Sequence, residues 1–283
     1  MPEIALLRSY LYAPGARPDV MAKALAAGAD AVILDLEDAV APADKDAARS
    51  VVAAFLAAHA GDAPCPMHVR INRGSGDDLA AVAGPGLAAV RVPKAESGEE
   101  IAAVAAMLDS LEAAAGIAPG EVAIYPIVES AAGVAAAREL AAAPRVARLC
   151  FGATDFLADI GAPGDPDGPA TLLARETLVL QSRVASIGSP VDSVHPALDD
   201  ESGLRASAEA GRALGFIGKS VIHPRQLAVV HEVFTPSDSE LERARRVLAA
   251  DGRGATALDG ELVDPAVVAR ARATLALAGR GGA

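Results

Sequence analysis

The stretch Ala123-Ile124-Tyr125-Pro126-Ile127-Val128-Glu129-Ser130 is an apolar run that ends abruptly in a carboxylate, and it gives the first indication of the fold class. A second run, Leu149-Cys150-Phe151, is followed within a few residues by Asp155. Apolar runs without polar alternation are typical of strands that are buried on both faces of a parallel sheet. The carboxyl ends of such strands meet at one edge of the sheet, so we expect Glu129 and Asp155 to lie close together.

Short apolar runs of this kind alternate with alanine-rich stretches of helical period along most of the chain. The predicted strands are Ser9–Tyr12, Ala31–Leu34, Met67–Ile71, Ala89–Val92, Val122–Ile127, Leu149–Phe151, Val191–Val194 and Gly218–Val221. The helices predicted between them are Pro18–Ala27, Ala43–Ala58, Gly98–Ala115, Ala131–Ala142, Leu172–Ile187, Glu201–Leu214 and Arg225–Val233.

Strict alternation of strands and helices to a count of eight strands favours an α/β fold, a (β/α)8 TIM barrel over residues 1–235. A doubly wound sheet is the alternative, but it would normally carry a glycine-rich phosphate loop after its first strand, where this chain has the lone Gly15. Residues 236–283 are predicted to form a C-terminal helical extension that can act as a lid. Its predicted parts are a helix over Ser237–Ala250, a glycine-rich turn over Asp251–Gly254 and a last helix from Pro265.

Composition narrows the possible functions. The chain has 283 residues, of which 52% are apolar and 22% charged, and its net charge is −12. An acidic surface gives no electrostatic basis for binding nucleic acid or an anionic membrane. The first residues lack the pattern of a signal peptide, and no run reaches the roughly eighteen uncharged apolar residues of a membrane helix. We therefore expect a cytoplasmic protein without nucleic-acid or membrane partners.

Glu129 and Asp155 are the strongest candidates for chemistry. Two carboxylates on adjacent strand ends repel each other unless a cation lies between them. Oxygen ligands suit a hard divalent ion, so the pair predicts a Mg²⁺ site, with Mn²⁺ also possible. The alternative is that both residues are helix caps or first-turn acids that interact with a helix dipole.

Arg70 is the second candidate, since it closes an otherwise apolar strand, Met67-His68-Val69-Arg70-Ile71. A buried guanidinium needs a partner, which at the mouth of a barrel is either a substrate oxygen or an internal carboxylate such as Glu37 or Asp38. The acidic run Asp35-Leu36-Glu37-Asp38 is expected to orient Arg70 and the water ligands of the metal. Its alternative is a solvated acidic loop.

These residues and their surroundings resemble the HpcH/HpaI aldolase and citrate lyase β-subunit superfamily, in its CitE-like and malyl-CoA lyase branch. The resemblance covers nearly the whole chain. The motifs that carry it are Arg8-Ser9-Tyr10-Leu11-Tyr12-Ala13-Pro14-Gly15, Asp30–Pro42 with Lys45 and Arg49, Val69-Arg70-Ile71-Asn72, Pro93-Lys94, Ile127-Val128-Glu129-Ser130 with Gly133, Phe151-Gly152 with Asp155, and Gly215–Pro224.

The resemblance implies a Mg²⁺-dependent enzyme that makes or breaks a carbon–carbon bond β to a CoA thioester. It implies that Glu129 and Asp155 bind the metal and that Arg70, together with Glu129, binds the substrate. The residues implied to lie along CoA are Tyr12, Arg17 and Lys23. Glu37 and Asp38 are grouped with Arg70 as catalytic residues because they would orient it.

A C-terminal motif of the CoA lyases supplies a further implied residue. This chain reads Gly260-Glu261-Leu262-Val263-Asp264-Pro265, with Leu262 where relatives usually have methionine and with the proline displaced by one position. Asp264 is the implied general acid/base, delivered into a neighbouring subunit of a homotrimer or hexamer. Two positions near the substrate pocket depart from the family. One is the loop that follows Asn72, and the other is Leu173, which stands where many relatives have tyrosine.

The leading hypothesis is cleavage of a 3-hydroxyacyl-CoA, such as malyl-CoA or citramalyl-CoA, into acetyl-CoA and a 2-oxo acid, or the reverse condensation. Alternatives are a citryl-CoA lyase-type subunit, a CoA-independent aldolase acting on 4-hydroxy-2-oxo acids, and a non-catalytic subunit of a larger complex. The expected partners are an acyl-CoA or a 2-oxo acid and other copies of this chain.

Overall fold

A computed structural model describes residues 7–251 and 256–280 of the chain. Eight parallel strands pair in chain order and close into a barrel, with β1 hydrogen-bonded to β8. The barrel strands are β1 (Ser9–Pro14), β2 (Ala31–Asp35), β3 (Met67–Arg70), β4 (Leu87–Val92), β5 (Ala123–Val128), β6 (Cys150–Phe151), β7 (Val191–Asp192) and β8 (Gly218–Val221). The predicted TIM barrel is confirmed, and the doubly wound alternative is wrong.

Helices follow the strands around the outside of the barrel and continue into the C-terminal segment. They are α1 (Pro18–Leu25), α2 (Lys45–Ala58), α3 (Gly76–Val82), α4 (Gly98–Ala115), α5 (Ala131–Ala135), α6 (Ala137–Ala142), α7 (Ala153–Asp159), α8 (Pro169–Val184), α9 (Glu201–Leu214), α10 (Leu227–Phe234), α11 (Asp238–Ala250) and α12 (Pro265–Arg280).

Three features of the helices differ from the prediction. The helix predicted over Ala131–Ala142 is two short helices, because Ala136 leaves helical geometry with φ −87° and ψ 3°. The short helices α3 and α7 were not predicted. Each is only 7 residues long, which is too short for a helical period to stand out in the sequence.

The strands alternate between two cores. In β1, Leu11 and Ala13 pack outward in the large core that includes helix residues such as Val52 and Leu140. Tyr10 and Tyr12 belong to the inner core of the barrel. Polar residues share the interior: Asp35 pairs in register with Arg70, and Arg70 pairs with Arg91. The inner face is therefore polar towards the carboxyl ends of β2 and β3, which is where a site can form.

The C-terminal segment contains a hairpin that was not predicted, β9 (Thr256–Leu258) paired antiparallel with β10 (Glu261–Val263). A separate small core, Ala244, Val247, Val263, Val268 and Ala271, joins α11 to this segment. Of the predicted turn at 251–254, residues 252–254 lie outside the described residues. The lid function of residues 236–283 remains a prediction. None of the described helices has the length and apolarity that crossing a membrane would require.

Candidate active site

A cavity of about 460 Å³ opens among the residues at the carboxyl ends of the strands. Five of the predicted site residues line it: Tyr12, Asp38, Arg70, Glu129 and Asp155. The other lining residues are Ala13, Pro14, Asp35, Ala39, Ile127, Phe151, Gly152, Thr154, Ser193, Val194, Ser220 and Ile222. Four predicted site residues do not line it: Glu37, Arg17, Lys23 and Asp264.

Glu129 is a buried carboxylate at the end of β5, with 6% of its surface exposed. Its Oε1 accepts a hydrogen bond of 2.7 Å from the backbone N–H of Lys94. Burial raises the pKa of Glu129 to about 7, and the charges of Asp155 and Glu37 add to the rise although the Lys94 N–H opposes it. The cap of helix α5 is Ser130, whose hydroxyl accepts from the N–H of Gly133 at 3.1 Å. The alternative of Glu129 as a helix cap is therefore wrong.

Asp155 reaches the same cavity from the first turn of α7. It is exposed, unlike Glu129. The start of α7 is fixed by Ser193, whose hydroxyl oxygen accepts a 3.0 Å hydrogen bond from the N–H of Ala153. Asp155 is thus a first-turn acid of α7, which was the alternative to a metal ligand in the sequence-based prediction. It also lies close enough to Glu129 for its charge to raise the pKa of Glu129.

The donor set fits a hard divalent cation. Glu129 and Asp155 offer carboxylate oxygens. The pKa of Glu129 is raised because its carboxyl group is buried near the negative charges of Asp155 and Glu37, and a bound cation would offset both effects. Within residues 7–251 and 256–280, no three His, Cys, Asp or Glu side chains are grouped so as to hold a metal by themselves. Two carboxylates with water and substrate in the other positions is the usual arrangement for Mg²⁺.

Arg70 is held by Asp35, a member of the acidic run that was predicted to orient it. Its Nε and Nη2 donate to Asp35 Oδ1 and Oδ2, each at 2.7 Å, which is a bidentate pair. Asp35 in turn accepts from the backbone N–H groups of Glu37 at 2.9 Å and Ala39 at 3.0 Å. The guanidinium carbon lies 5.0 Å from the centre of the Tyr12 ring. Burial lowers the pKa of Arg70, but the hydrogen bonds to Asp35 and the nearby Tyr12, Asp35 and Glu37 together raise it by more, so the group stays charged.

Glu37 lies between two cations instead of lining the cavity. Its Oε1 accepts from Lys94 Nζ at 2.5 Å, and its Oε2 lies 2.9 Å from Arg70 Nη1. Burial raises the pKa of Glu37, although both cations oppose the rise. Asp38 is nearer to solvent and accepts from Arg70 Nη1 at 3.3 Å. The interpretation of the acidic run as a solvated loop is wrong for Asp35 and Glu37, which are both buried.

The β2–α2 loop that carries these acids is pinned by Lys45. Its ammonium donates to three oxygens: the carbonyls of Leu36 at 2.6 Å and Glu37 at 2.5 Å, and Asn72 Oδ1 at 2.8 Å. A cation that satisfies two loop carbonyls fixes the backbone of the loop. The acidic side chains that hold Arg70 therefore start from a fixed backbone.

The remaining predicted residues lie outside the cavity. Arg17 and Lys23 are exposed on or beside α1 and pair with Asp19, at 3.1 Å and 4.0 Å. Asp264 caps α12, because its Oδ1 accepts from the N–H of Val267 at 2.8 Å. Their roles towards CoA and towards a neighbouring subunit stay predictions.

Two family models match the chain. The model described as HpcH/HpaI aldolase/citrate lyase covers residues 8–224, and a model described as C–C bond lyase of the TIM-barrel fold covers residues 177–278. The chain belongs to the HpcH/HpaI aldolase/citrate lyase family. It is therefore a member of a family of carbon–carbon lyases, as the motifs predicted.

Relatives within this family match over nearly their full length. A citrate lyase subunit beta-like protein of Deinococcus radiodurans is 40% identical, over 96% of this chain and 97% of the relative. A (3S)-malyl-CoA thioesterase of Cereibacter sphaeroides is 36% identical, over 96% of this chain and 94% of the relative. The crystal structure of CitE from Mycobacterium tuberculosis in complex with magnesium, acetoacetate and coenzyme A is 36% identical with a TM-score of 0.78, and the match covers 98% of this chain and 99% of that one.

Proposed function

We propose that this family member is a divalent-metal-dependent lyase that cleaves a 3-hydroxyacyl-CoA into acetyl-CoA and a 2-oxo acid, or runs the reverse condensation. The observation that carries the proposal is that Glu129, Asp155 and Arg70 line one cavity. Two carboxylates and a guanidinium around one space suit a bound cation beside a small anion. The complex of the related CitE with magnesium, acetoacetate and coenzyme A supports the same ligand classes here.

Glu129 and Asp155 would hold the metal, Mg²⁺ by preference and Mn²⁺ as a substitute. When bound, the ion supplies Lewis-acid polarisation of the substrate oxygens. Glu129 is then held as a carboxylate, and its place beside the cavity lets it orient the 2-oxo acid as well as the cation.

Arg70 would bind the substrate oxygen on which negative charge develops as the carbon–carbon bond breaks. Asp35 takes two of its N–H groups, and the others remain for Asp38, Glu37 and the substrate. A guanidinium fixed in advance by a bidentate carboxylate needs no reorganisation during the reaction. Asp35, Glu37 and Asp38 therefore act through Arg70 as positioning residues.

The chemistry also needs a proton donor and acceptor at the acetyl carbon. Cleavage passes the proton of the substrate hydroxyl to solvent as the hydroxyl carbon becomes the carbonyl of the 2-oxo acid. The electron pair of the broken carbon–carbon bond ends on the acetyl carbon, which then takes up a proton from an acid that solvent reprotonates. We assign this last transfer to Asp264 of a neighbouring subunit in a homo-oligomer, a trimer or hexamer. Tyr12, Arg17 and Lys23 would lie along CoA, with the two basic residues outside the cavity where the phosphates of CoA would extend.

A second candidate is hydrolysis of the malyl-CoA thioester, which the similarity to the Cereibacter sphaeroides thioesterase favours. The two reactions differ in their products. Purified protein should be incubated with Mg²⁺ and with malyl-CoA, citramalyl-CoA and citryl-CoA in turn. The proposal expects acetyl-CoA and a stoichiometric 2-oxo acid from one of them. Free CoA and malate without a 2-oxo acid would instead identify a thioesterase, and no turnover of any thioester would refute the proposal.

A further inference from the structure

The carboxylate of Glu129 is gripped from two sides by parts of the chain that have no assigned role. On one side, the backbone N–H of Lys94 donates to Oε1 at 2.7 Å. On the other side lies Gly152, at the end of β6. A Cβ built on Gly152 would meet Oε2 well inside contact distance and would lie 2.7 Å from the Cβ of Glu129. No other residue type fits at position 152 while Glu129 keeps this orientation.

Lys94 presents its N–H from an unusual backbone conformation. Its φ is +50°, in the left-handed region, which is unfavourable for a residue other than glycine. Such a conformation persists only where surrounding contacts hold it. Two contacts hold it here: the Lys94 N–H donates to Glu129 Oε1 at 2.7 Å, and Lys94 Nζ donates to Glu37 Oε1 at 2.5 Å. One residue therefore touches Glu129 with its backbone and Glu37 with its side chain.

We propose that Lys94 and Gly152 are positioning residues that fix the Glu129 carboxylate in the orientation that binds the divalent cation, and that the Lys94–Glu37 contact holds Lys94 in place. This inference rests on the proposed function, because it presumes that Glu129 is a metal ligand. It adds that the absence of a side chain at position 152 and the backbone N–H of Lys94 determine how tightly the metal is held. It also connects the metal ligand Glu129 to Arg70, because Glu37 contacts both Arg70 and Lys94.

The test is the affinity of the full-length, substrate-free protein for Mn²⁺, measured from the electron paramagnetic resonance signal of free Mn²⁺. Gly152→Ala should weaken Mn²⁺ binding by about 10- to 100-fold, the range found when residues behind metal ligands are changed. Gly211→Ala is the matched control. A Cβ at 211 would lie 2.7 Å from the buried carboxylate oxygen Asp192 Oδ2, so it makes the same kind of clash, but neither residue lines the cavity. This variant should bind Mn²⁺ like the unchanged protein.

A double-mutant cycle tests the contact between Lys94 and Glu37. Lys94→Met removes this contact and Glu37→Gln weakens it by removing its charge, so each should weaken Mn²⁺ binding, and the double variant should be no weaker than the worse single variant. If Gly152→Ala does not fold, the cycle decides alone. Unchanged Mn²⁺ affinity in folded Gly152→Ala, or in Lys94→Met, would overturn the inference. If the unchanged protein binds no Mn²⁺, the proposed metal site fails, and the inference with it.

Discussion

Asp35 grips Arg70 through two parallel hydrogen bonds of 2.7 Å, one to each carboxylate oxygen. The pair joins adjacent strands, since Asp35 ends β2 and Arg70 ends β3 in register with it. Both side chains are mostly buried, at 3% and 14% exposed. The candidate substrate-binding guanidinium is therefore set by the register of the barrel itself, as well as by the acidic loop that follows β2.

Asp35→Asn should cost both stability and activity. Removing one partner of a buried ion pair typically costs about 3–5 kcal/mol, and the ion pairs of Arg70 with Glu37 and Asp38 should keep the loss at the lower end of this range. The asparagine can accept only one of the two hydrogen bonds, so Arg70 loses its fixed orientation. We expect a lower free energy of unfolding by urea denaturation and a lower kcat/KM in the thioester assay. Asp19→Asn is the control, because its pair with Arg17 is more than half exposed, so solvent screens the pair and its loss should leave the stability nearly unchanged. An Asp35→Asn protein as stable as the Asp19→Asn protein would contradict this account of the pair.

Glu129 should give the metal-free protein an unusual pH dependence. Its pKa in the folded protein is raised from 4.5 to about 7, chiefly by burial, so the folded state binds a proton more tightly than the unfolded state does. This contribution to stability is complete below pH 4.5 and is lost as the pH rises through about 7. It amounts to on the order of 3 kcal/mol.

The measurement is urea denaturation in the presence of a chelator at pH 5 and pH 8, for the unchanged protein and for Glu129→Gln. The variant cannot ionise, so it should lose less stability between the two pH values. Saturating Mn²⁺ should reverse the effect in the unchanged protein, because metal binding requires the ionised carboxylate and becomes stronger as the pH rises. Equal losses of stability in the two proteins without metal would show that Glu129 does not titrate in this range.

Glu112, which does not line the cavity, should contribute to stability in the opposite sense. Its carboxylate accepts from Arg145 and from the N–H groups of Gly120 and Val122, each of these two at 2.8 Å. The bonds from Arg145 chiefly lower its pKa from 4.5 to about 2. The stability that it provides is present above pH 4.5 and is lost as the pH falls towards 2. Glu112→Gln should therefore flatten acid unfolding between these values, and an unchanged acid transition would contradict the prediction.

Asp264 can be tested without disturbing its role as a helix cap. Asparagine also caps helices well, whereas alanine typically costs about 1 kcal/mol. Asp264→Asn should keep the unfolding transition and the Mn²⁺ affinity but suppress proton exchange at the methyl group of acetyl-CoA. Asp264→Ala should suppress the exchange and also lower the melting temperature. Exchange that continues at the normal rate in Asp264→Asn would exclude Asp264 as the acid/base.

Much of this arrangement can be read from the sequence because it depends on strand ends. Glu129 and Arg70 terminate apolar runs, and closure of a parallel barrel brings such ends together whatever the exact element bounds. The convergence of Glu129, Asp155 and Arg70 on one cavity was predictable for this reason. The short helix α7 was not, because a 7-residue helix shows too little periodicity.

The contacts behind these residues were not predictable from the pattern alone. Asp35, Glu37 and Asp38 are equivalent in sequence as one acidic run, and only the register of β2 with β3 selects Asp35 as the bidentate partner of Arg70. Lys94 adopts a left-handed conformation without being a glycine, so its residue type does not predict that conformation. Gly152 is needed for close approach to Glu129 and has a negative φ, so no turn signal marks it.

The proposed function requires one divalent cation bound between Glu129 and Asp155. The most direct measurement is the anomalous scattering of crystals grown with Mn²⁺ and a 2-oxo acid. We expect an anomalous peak with oxygens of both carboxylates at a distance on the order of 2 Å. We also expect the 2-oxo acid to contact both the ion and Arg70. A fully occupied peak elsewhere in the molecule, or a cavity that binds the 2-oxo acid with no ion between the two carboxylates, would contradict it.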